Sequence, residues 1–107
     1  MNIYPNILAE KYYKLLDYSN PTTAQQQAEK WLGKGTILYP SYKKNKKYMV
    51  QKPDGHWVHF GQIPYEDYLK HQNEDRRRLY RLRATNMKGN WKDDKYSPNN
   101  LSINILW

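Results

Sequence analysis

The chain has 107 residues, which suits one small domain, and it combines a net charge of +8 with an absence of cysteine. The missing cysteines exclude disulfides and thiolate metal sites, and no run approaches the roughly 18 apolar residues of a membrane span. Aromatic residues make up 15% of the chain, which argues against disorder and predicts a core of mixed aromatic and aliphatic side chains. We therefore expect no membrane partner. We also expect that the protein is not secreted, because no signal-peptide pattern is seen in the sequence.

Residues 4–18 and 21–32 predict two short amphipathic helices. The first places Leu8, Tyr12, Leu15 and Leu16 on one stripe. Asn20 is a suitable N-cap for the second helix, because Pro21 follows it at the first helical position. The brief connection predicts a helical hairpin over residues 1–35, followed by a basic α+β core over residues 36–107, within a single compact domain overall.

A β-hairpin is the next predicted element. A short β-prone run ends at Pro40 and leads into a basic loop that contains Lys43, Lys44, Lys46 and Lys47. Residues 48–51 and 56–61 are strand-like, and the Pro53-Asp54-Gly55 sequence between them favours a tight turn. Side chains alternate along a strand, so Val58 and Phe60 should face the core while Trp57 and His59 face the other way.

Two helices are predicted after the hairpin. Pro64 opens the first, which runs to about His71 with Glu66 and Asp67 in its first turn. Asn73 caps the second. There Leu79 and Leu82 form an apolar edge, Arg77 and Arg81 project from the opposite side, and Arg76, Tyr80 and Arg83 share a third face.

The C-terminal segment has two readings. Its LSINILW ending fits either strand alternation or a helix, and Ser97-Pro98 resembles an N-cap followed by a first-turn proline. That cap favours a short helix that completes the core. The predicted fold class is therefore α+β, a small antiparallel sheet packed with helices and preceded by the N-terminal helical hairpin.

The sequence contains no phosphate-binding loop, dinucleotide fingerprint or nucleophile elbow. A strand-strand-helix metal nuclease built on His56, His59 and His71 is an alternative, but His56 and His59 should face opposite sides of one strand. Glu66 and Asp67 are adjacent on a helix and diverge, so they make a poor acid/base pair. We expect a protein that is not an enzyme, with no catalytic residue, metal or cofactor.

Part of the sequence resembles a family of small basic uncharacterised proteins of nucleocytoplasmic large DNA viruses. The resemblance covers about residues 47–107. It is carried by Lys47-Tyr48-x-Val50, Val58-His59-Phe60-Gly61, Tyr65-x-Asp67-Tyr68-x-x-His71, an Arg-rich segment with Tyr80 and Arg83, Trp91, and Leu106-Trp107. Ala84 stands where the family often has a histidine, which argues against a catalytic histidine. The resemblance implies a viral protein, located in the virion or in the cytoplasm or nucleus of the infected cell, and it implies no known activity.

The basic charge predicts a polyanionic partner. The favoured hypothesis is a non-catalytic accessory protein that binds DNA or RNA electrostatically through a lysine loop and an arginine-rich helix. The residues expected to contact phosphates are Lys43, Lys44, Lys46, Lys47, Arg76, Arg77, Arg81 and Arg83, with Tyr80 or Trp57 stacking on bases. The alternative is a minor structural protein that binds other virion proteins.

Overall fold

The computed structural model describes the backbone of residues 4–107 and the side chains from residue 8 onward, so residues 1–3 of the predicted N-terminal part lie outside the described residues. Within this range, α-helices pack with a three-stranded antiparallel sheet, and the predicted α+β class is confirmed. The elements are α1 (Tyr4–Leu15), α2 (Pro21–Leu32), β1 (Tyr39–Pro40), β2 (Lys46–Gln51), β3 (Trp57–Gln62), α3 (Tyr68–His71), α4 (Glu74–Thr85) and α5 (Pro98–Leu101), with a 3₁₀ turn at Trp91–Asp93 and a π-helical turn at Ser102–Leu106.

The N-terminal helices form where they were predicted, with one difference in length. The Asn20 side chain accepts a hydrogen bond from the Thr23 amide at 3.2 Å, which confirms the N-cap of α2. Helix α1 ends at Leu15, three residues earlier than predicted, because the chain turns through short-range hydrogen bonds such as that from the Asp17 amide to the Lys14 carbonyl. Leu15 is buried, whereas Tyr12 and Leu16 of the predicted stripe are exposed.

The sheet has the order β1-β2-β3, and the predicted hairpin joins β2 to β3. The turn is closed by the Asp54 carboxylate, which accepts a hydrogen bond from the His56 amide at 2.9 Å. Val50 pairs with Val58, and Tyr48 pairs with Phe60. Phe60 is fully buried, and Val58 packs against the core, as the alternation predicted.

The core is shared by segments that lie far apart in the sequence. Tyr48, Val50 and Phe60 from the hairpin meet the small side chains of α2 and the C-terminal helix. The partners in this cluster include Leu15, Ala24, Ala28, Ile63, Leu69, Leu101, Ile105 and Leu106. The Tyr48 hydroxyl donates to Ser19 Oγ at 2.8 Å, which satisfies the polar end of a buried ring. The core therefore joins residues on both sides of position 35.

The prediction of a helix beginning at Pro64 was wrong. Residues 62–65 form a turn, in which the Tyr65 amide donates to the Gln62 carbonyl, and α3 begins only at Tyr68. Asp67 has extended backbone angles because its amide donates to the Tyr18 carbonyl at 3.0 Å, and its side chain caps α3 through the Lys70 amide. Asp67 is therefore an N-cap and not a first-turn residue.

Helix α4 begins after Asn73 as predicted, since the Asn73 side chain accepts from the Arg76 amide at 3.0 Å. Its apolar edge, however, faces solvent: Leu79 and Leu82 are about half exposed. The helix is held by Tyr80, whose ring stacks on Trp107 with ring centroids 4.1 Å apart and planes 8° apart. The predicted C-terminal helix is confirmed, with Ser97 Oγ accepting from the Asn100 amide.

Candidate nucleic-acid interface

A groove of about 760 Å³ runs between α4, the adjoining ends of β2 and β3, and the C-terminal helix. We call it the basic groove. Its lining residues are Lys46, Lys47, Phe60, Gly61, Gln62, Tyr65, Glu66, Arg76, Leu79, Tyr80, Arg83, Met87, Pro98, Asn99, Ser102, Leu106 and Trp107. The groove thus brings together half of the predicted contact residues, from β2 and from α4.

Cations outnumber acids along the basic groove. Arg76 and Arg83 contribute from α4, Lys46 contributes from β2, and Glu66 is the acidic residue of the lining. Arg76 Nη1 lies 3.5 Å from Glu66 Oε1, and both side chains are about half exposed. Such an exposed ion pair is weak, so Arg76 can exchange its carboxylate partner for another anion at little cost.

Lys43 and Lys44 are outside the groove lining, in a tight turn that leads to Lys46 and that we call the lysine turn (residues 43–46). The Lys46 amide donates to the Lys43 carbonyl at 3.2 Å, and the Asn45 carbonyl accepts from the Ile63 amide at 3.0 Å. These bonds hold the turn against the end of β3. Lys44 is two residues from Lys46, so their Cα atoms are at most about 7 Å apart. Lys43 and Lys44 are exposed, and they add positive charge close in sequence to the groove-lining Lys46.

Lys47 differs from the other lysines of the predicted set because its side chain is buried. Its Nζ atom lies 3.2 Å from Asp67 Oδ2 and 3.3 Å from the Tyr18 carbonyl oxygen. Burial lowers the pKa of the Lys47 ammonium and raises the pKa of the Asp67 carboxyl, since desolvation outweighs their mutual attraction. Lys47 therefore forms part of the floor of the groove and is not available to a phosphate.

Arg77 is also engaged inside the protein. Its Nε donates to the main-chain oxygen of Trp107 at 2.7 Å, and its guanidinium lies 4.7 Å from the centre of the Tyr68 ring. Arg81, one helical turn later, lies on the same side of α4 and does not line the groove. Of these four arginines, Arg76 and Arg83 line the groove, whereas Arg77 and Arg81 do not.

The aromatic residues divide in a similar way. Tyr80 lines the groove, but one face of its ring is covered by Trp107, and burial raises the pKa of its phenol.

Trp57 lies at the far end of β3 from the groove and packs edge-on against Tyr39. At 3.3 Å per residue, it is about 16 Å along the strand from Gln62, which lines the groove. Tyr65 is 67% exposed and lines the groove, although the sequence analysis did not include it among the candidate residues. Its position in a turn just after a strand was the available signal.

The histidines occupy separate positions. His59 Nδ1 lies 2.7 Å from Ser41 Oγ, and His71 Nδ1 accepts from the Asn73 amide at 2.9 Å. Burial, followed by nearby cations, lowers the pKa of both rings. Within the described part of the chain, no cluster of three His, Asp or Glu side chains could hold a metal ion. No helix among residues 4–107 is long and apolar enough to cross a membrane.

These features define a small basic α+β protein with a groove that combines cations and aromatic side chains. The model of a family of unknown function (DUF5754) matches residues 36–84, which is somewhat less than half of the chain. That segment includes the lysine turn, the hairpin, Tyr65 and most of α4. No curated protein and no solved structure gave a significant match to the chain.

Proposed function

We propose that this protein is a non-catalytic viral accessory protein that binds nucleic acid electrostatically. The phosphate contacts come from the lysine turn and the groove-facing side of α4. They are Lys43, Lys44, Lys46, Arg76 and Arg83, a smaller set than the sequence predicted because Lys47, Arg77 and Arg81 point elsewhere. The observation that carries the proposal is that three of these cations, Lys46, Arg76 and Arg83, line one groove whose lining has one acidic side chain, with Lys43 and Lys44 exposed in the turn that leads to Lys46.

The physical basis is the release of counterions. Each phosphate that a lysine or arginine neutralises frees condensed cations, so the logarithm of the affinity falls with the logarithm of the salt concentration by about 0.9 per contact on duplex DNA. Five contacts predict a slope of roughly −4 to −5. Phosphate contacts carry no base information, so the binding should depend little on sequence.

The test is a fluorescence anisotropy titration of labelled DNA and RNA between about 50 and 200 mM salt. The triple variant Lys46→Gln/Arg76→Gln/Arg83→Gln should weaken binding strongly and reduce the slope by about three. Its matched control, Lys30→Gln/Lys34→Gln/Arg78→Gln, removes the same charge from exposed positions outside the groove. The control should reduce the slope by less than one.

Two results overturn the proposal. One is the absence of binding at low salt, and the other is an affinity that does not change with salt. An equal loss in both triple variants would show that overall charge, and not the groove, governs the interaction.

A second candidate function, contact with other virion proteins, is favoured by the exposed apolar edge of α4. Leu79 is 49% exposed and Leu82 is 55% exposed, and large apolar side chains in a row mark interaction surfaces. The test is whether the protein stays with purified capsid shells after the nucleic acid is removed. Leu79→Gln/Leu82→Gln should release it, while Ile37→Gln, at a similarly exposed position far from α4 in sequence, should not.

A further inference from the structure

The rim of the basic groove carries an aromatic ring that the fold itself does not use. Tyr65 is 67% exposed, and among the described residues no other aromatic ring packs against it. The residue is nevertheless held in place, because its amide donates to the Gln62 carbonyl at 3.2 Å. A fixed backbone with a free ring presents a flat apolar surface to solvent.

Other apolar side chains continue this surface across the groove. Leu79 and Met87 line it from α4 and from the segment after α4, and they are 49% and 55% exposed. They lie on the same lining as Arg76, Arg83 and Lys46. The groove therefore alternates apolar faces with cations, which suits a ligand with flat apolar rings spaced along a chain of negative charges.

An unpaired stretch of nucleic acid has that chemistry. In a duplex, the face of every base is covered by its neighbours in the stack, so an aromatic side chain can reach a base face only where the strand is single. A groove of about 760 Å³ has the size of a pocket for small molecules and has room for bases, whereas phosphates remain outside on the cations.

We propose that the basic groove binds single-stranded nucleic acid, with an unpaired base stacked on Tyr65 and its flanking phosphates on Arg76, Arg83 and Lys46. The inference rests on the proposed function and adds to it a preference for single strands. Stacking on one aromatic side chain is worth about 5- to 100-fold in affinity. A purely electrostatic surface gains no affinity from stacking, and it binds the duplex more tightly because the duplex has the higher charge density.

The experiment compares a labelled single strand of on the order of 12 nucleotides with the duplex of the same sequence, by anisotropy at matched salt. Tyr65→Ala should weaken single-strand binding about 5- to 100-fold and leave duplex binding unchanged. Tyr65→Phe keeps the ring and should retain the affinity. The control is Tyr13→Ala, because Tyr13 is 70% exposed on α1 and outside the groove.

A second measurement reports stacking directly. A strand that carries the fluorescent base 2-aminopurine should lose emission on binding to the native protein and less so on binding to Tyr65→Ala. Equal affinity for single and double strands, or equal effects of Tyr65→Ala and Tyr13→Ala, overturns the single-strand inference. If binding still depends on salt in that case, the proposed function stands. Absence of salt-dependent binding to either probe overturns both.

Discussion

The Nζ atom of Lys47 lies 3.2 Å from Asp67 Oδ2, and the two side chains are 3% and 0% exposed. The pair connects β2 to the start of α3, and Lys47 also donates to the Tyr18 carbonyl after α1. A buried ion pair of this kind gains little net stability, because desolvation offsets the attraction. Removing either side chain of the pair, however, leaves the other as an uncompensated buried charge.

Asp67→Asn is expected to destabilise the protein by about 3–5 kcal/mol, because it leaves a buried ammonium without a counter-charge. The amide oxygen of asparagine still caps α3, so the loss isolates the charge. Lys47→Met/Asp67→Asn should recover most of the stability. Urea unfolding measures both variants, and a loss below about 1 kcal/mol in Asp67→Asn would contradict the assignment of a charged pair.

Arg77→Gln is expected to lower stability by about 1 kcal/mol, since it removes the hydrogen bond from Arg77 Nε to the Trp107 oxygen at 2.7 Å, and solvent weakens this bond because the side chain is 39% exposed. Arg78→Gln removes the same charge from an exposed neighbouring position and should change stability by less than about 0.5 kcal/mol. Thermal unfolding followed by circular dichroism compares the two. Equal losses would mean that Arg77 does not hold α4 in place.

On the proposed function, Glu66→Gln is expected to strengthen nucleic-acid binding by about two- to five-fold. The substitution removes a negative charge from the groove lining and frees Arg76, whose Nη1 lies 3.5 Å from the Glu66 carboxylate. Anisotropy titration at low salt measures the change. Glu10→Gln on α1 removes the same charge at an exposed site and serves as the control; a gain as large there would trace the effect to net charge alone.

Stability should fall as the pH drops below about 6.5, the ordinary pKa of histidine. Burial lowers the pKa of His59 and of His71, with nearby cations adding to it. Between the lowered folded pKa and 6.5, the unfolded chain binds protons that the folded chain does not, so acid favours unfolding.

Urea midpoints measured across this pH range test the prediction. His59→Gln should flatten the dependence. A pH profile that is identical in the native protein and in His59→Gln would contradict the role of His59.

Elements with local chemical signals were predictable from the sequence. The Asn20, Asn73 and Ser97 caps and the turn around Asp54 each involve hydrogen bonds within about four residues. Local sequence signals therefore predicted α2, α4, the C-terminal helix and the β-hairpin correctly.

The roles that were missed depend on distant partners. Asp67 looked like a first-turn acid, but its charge partner Lys47 is 20 positions away. Arg77 looked like a phosphate contact, but its acceptor on Trp107 is 30 positions away. Arg77 and Tyr80 both contact Trp107, and these two contacts orient α4 with Leu79 and Leu82 about half exposed. Charge and periodicity identify such residues without indicating which of them the fold uses.

The shared core has a consequence for the segment that matches the family of unknown function. Within residues 36–84, Tyr48, Val50 and Phe60 are buried by side chains that lie outside it, among them Ala24, Ala28 and Leu106. A fragment cut at these boundaries would leave one side of its hairpin uncovered and would associate with other chains. In this protein, the hairpin of the matched segment therefore depends on α2 and the C-terminal helix to complete its core.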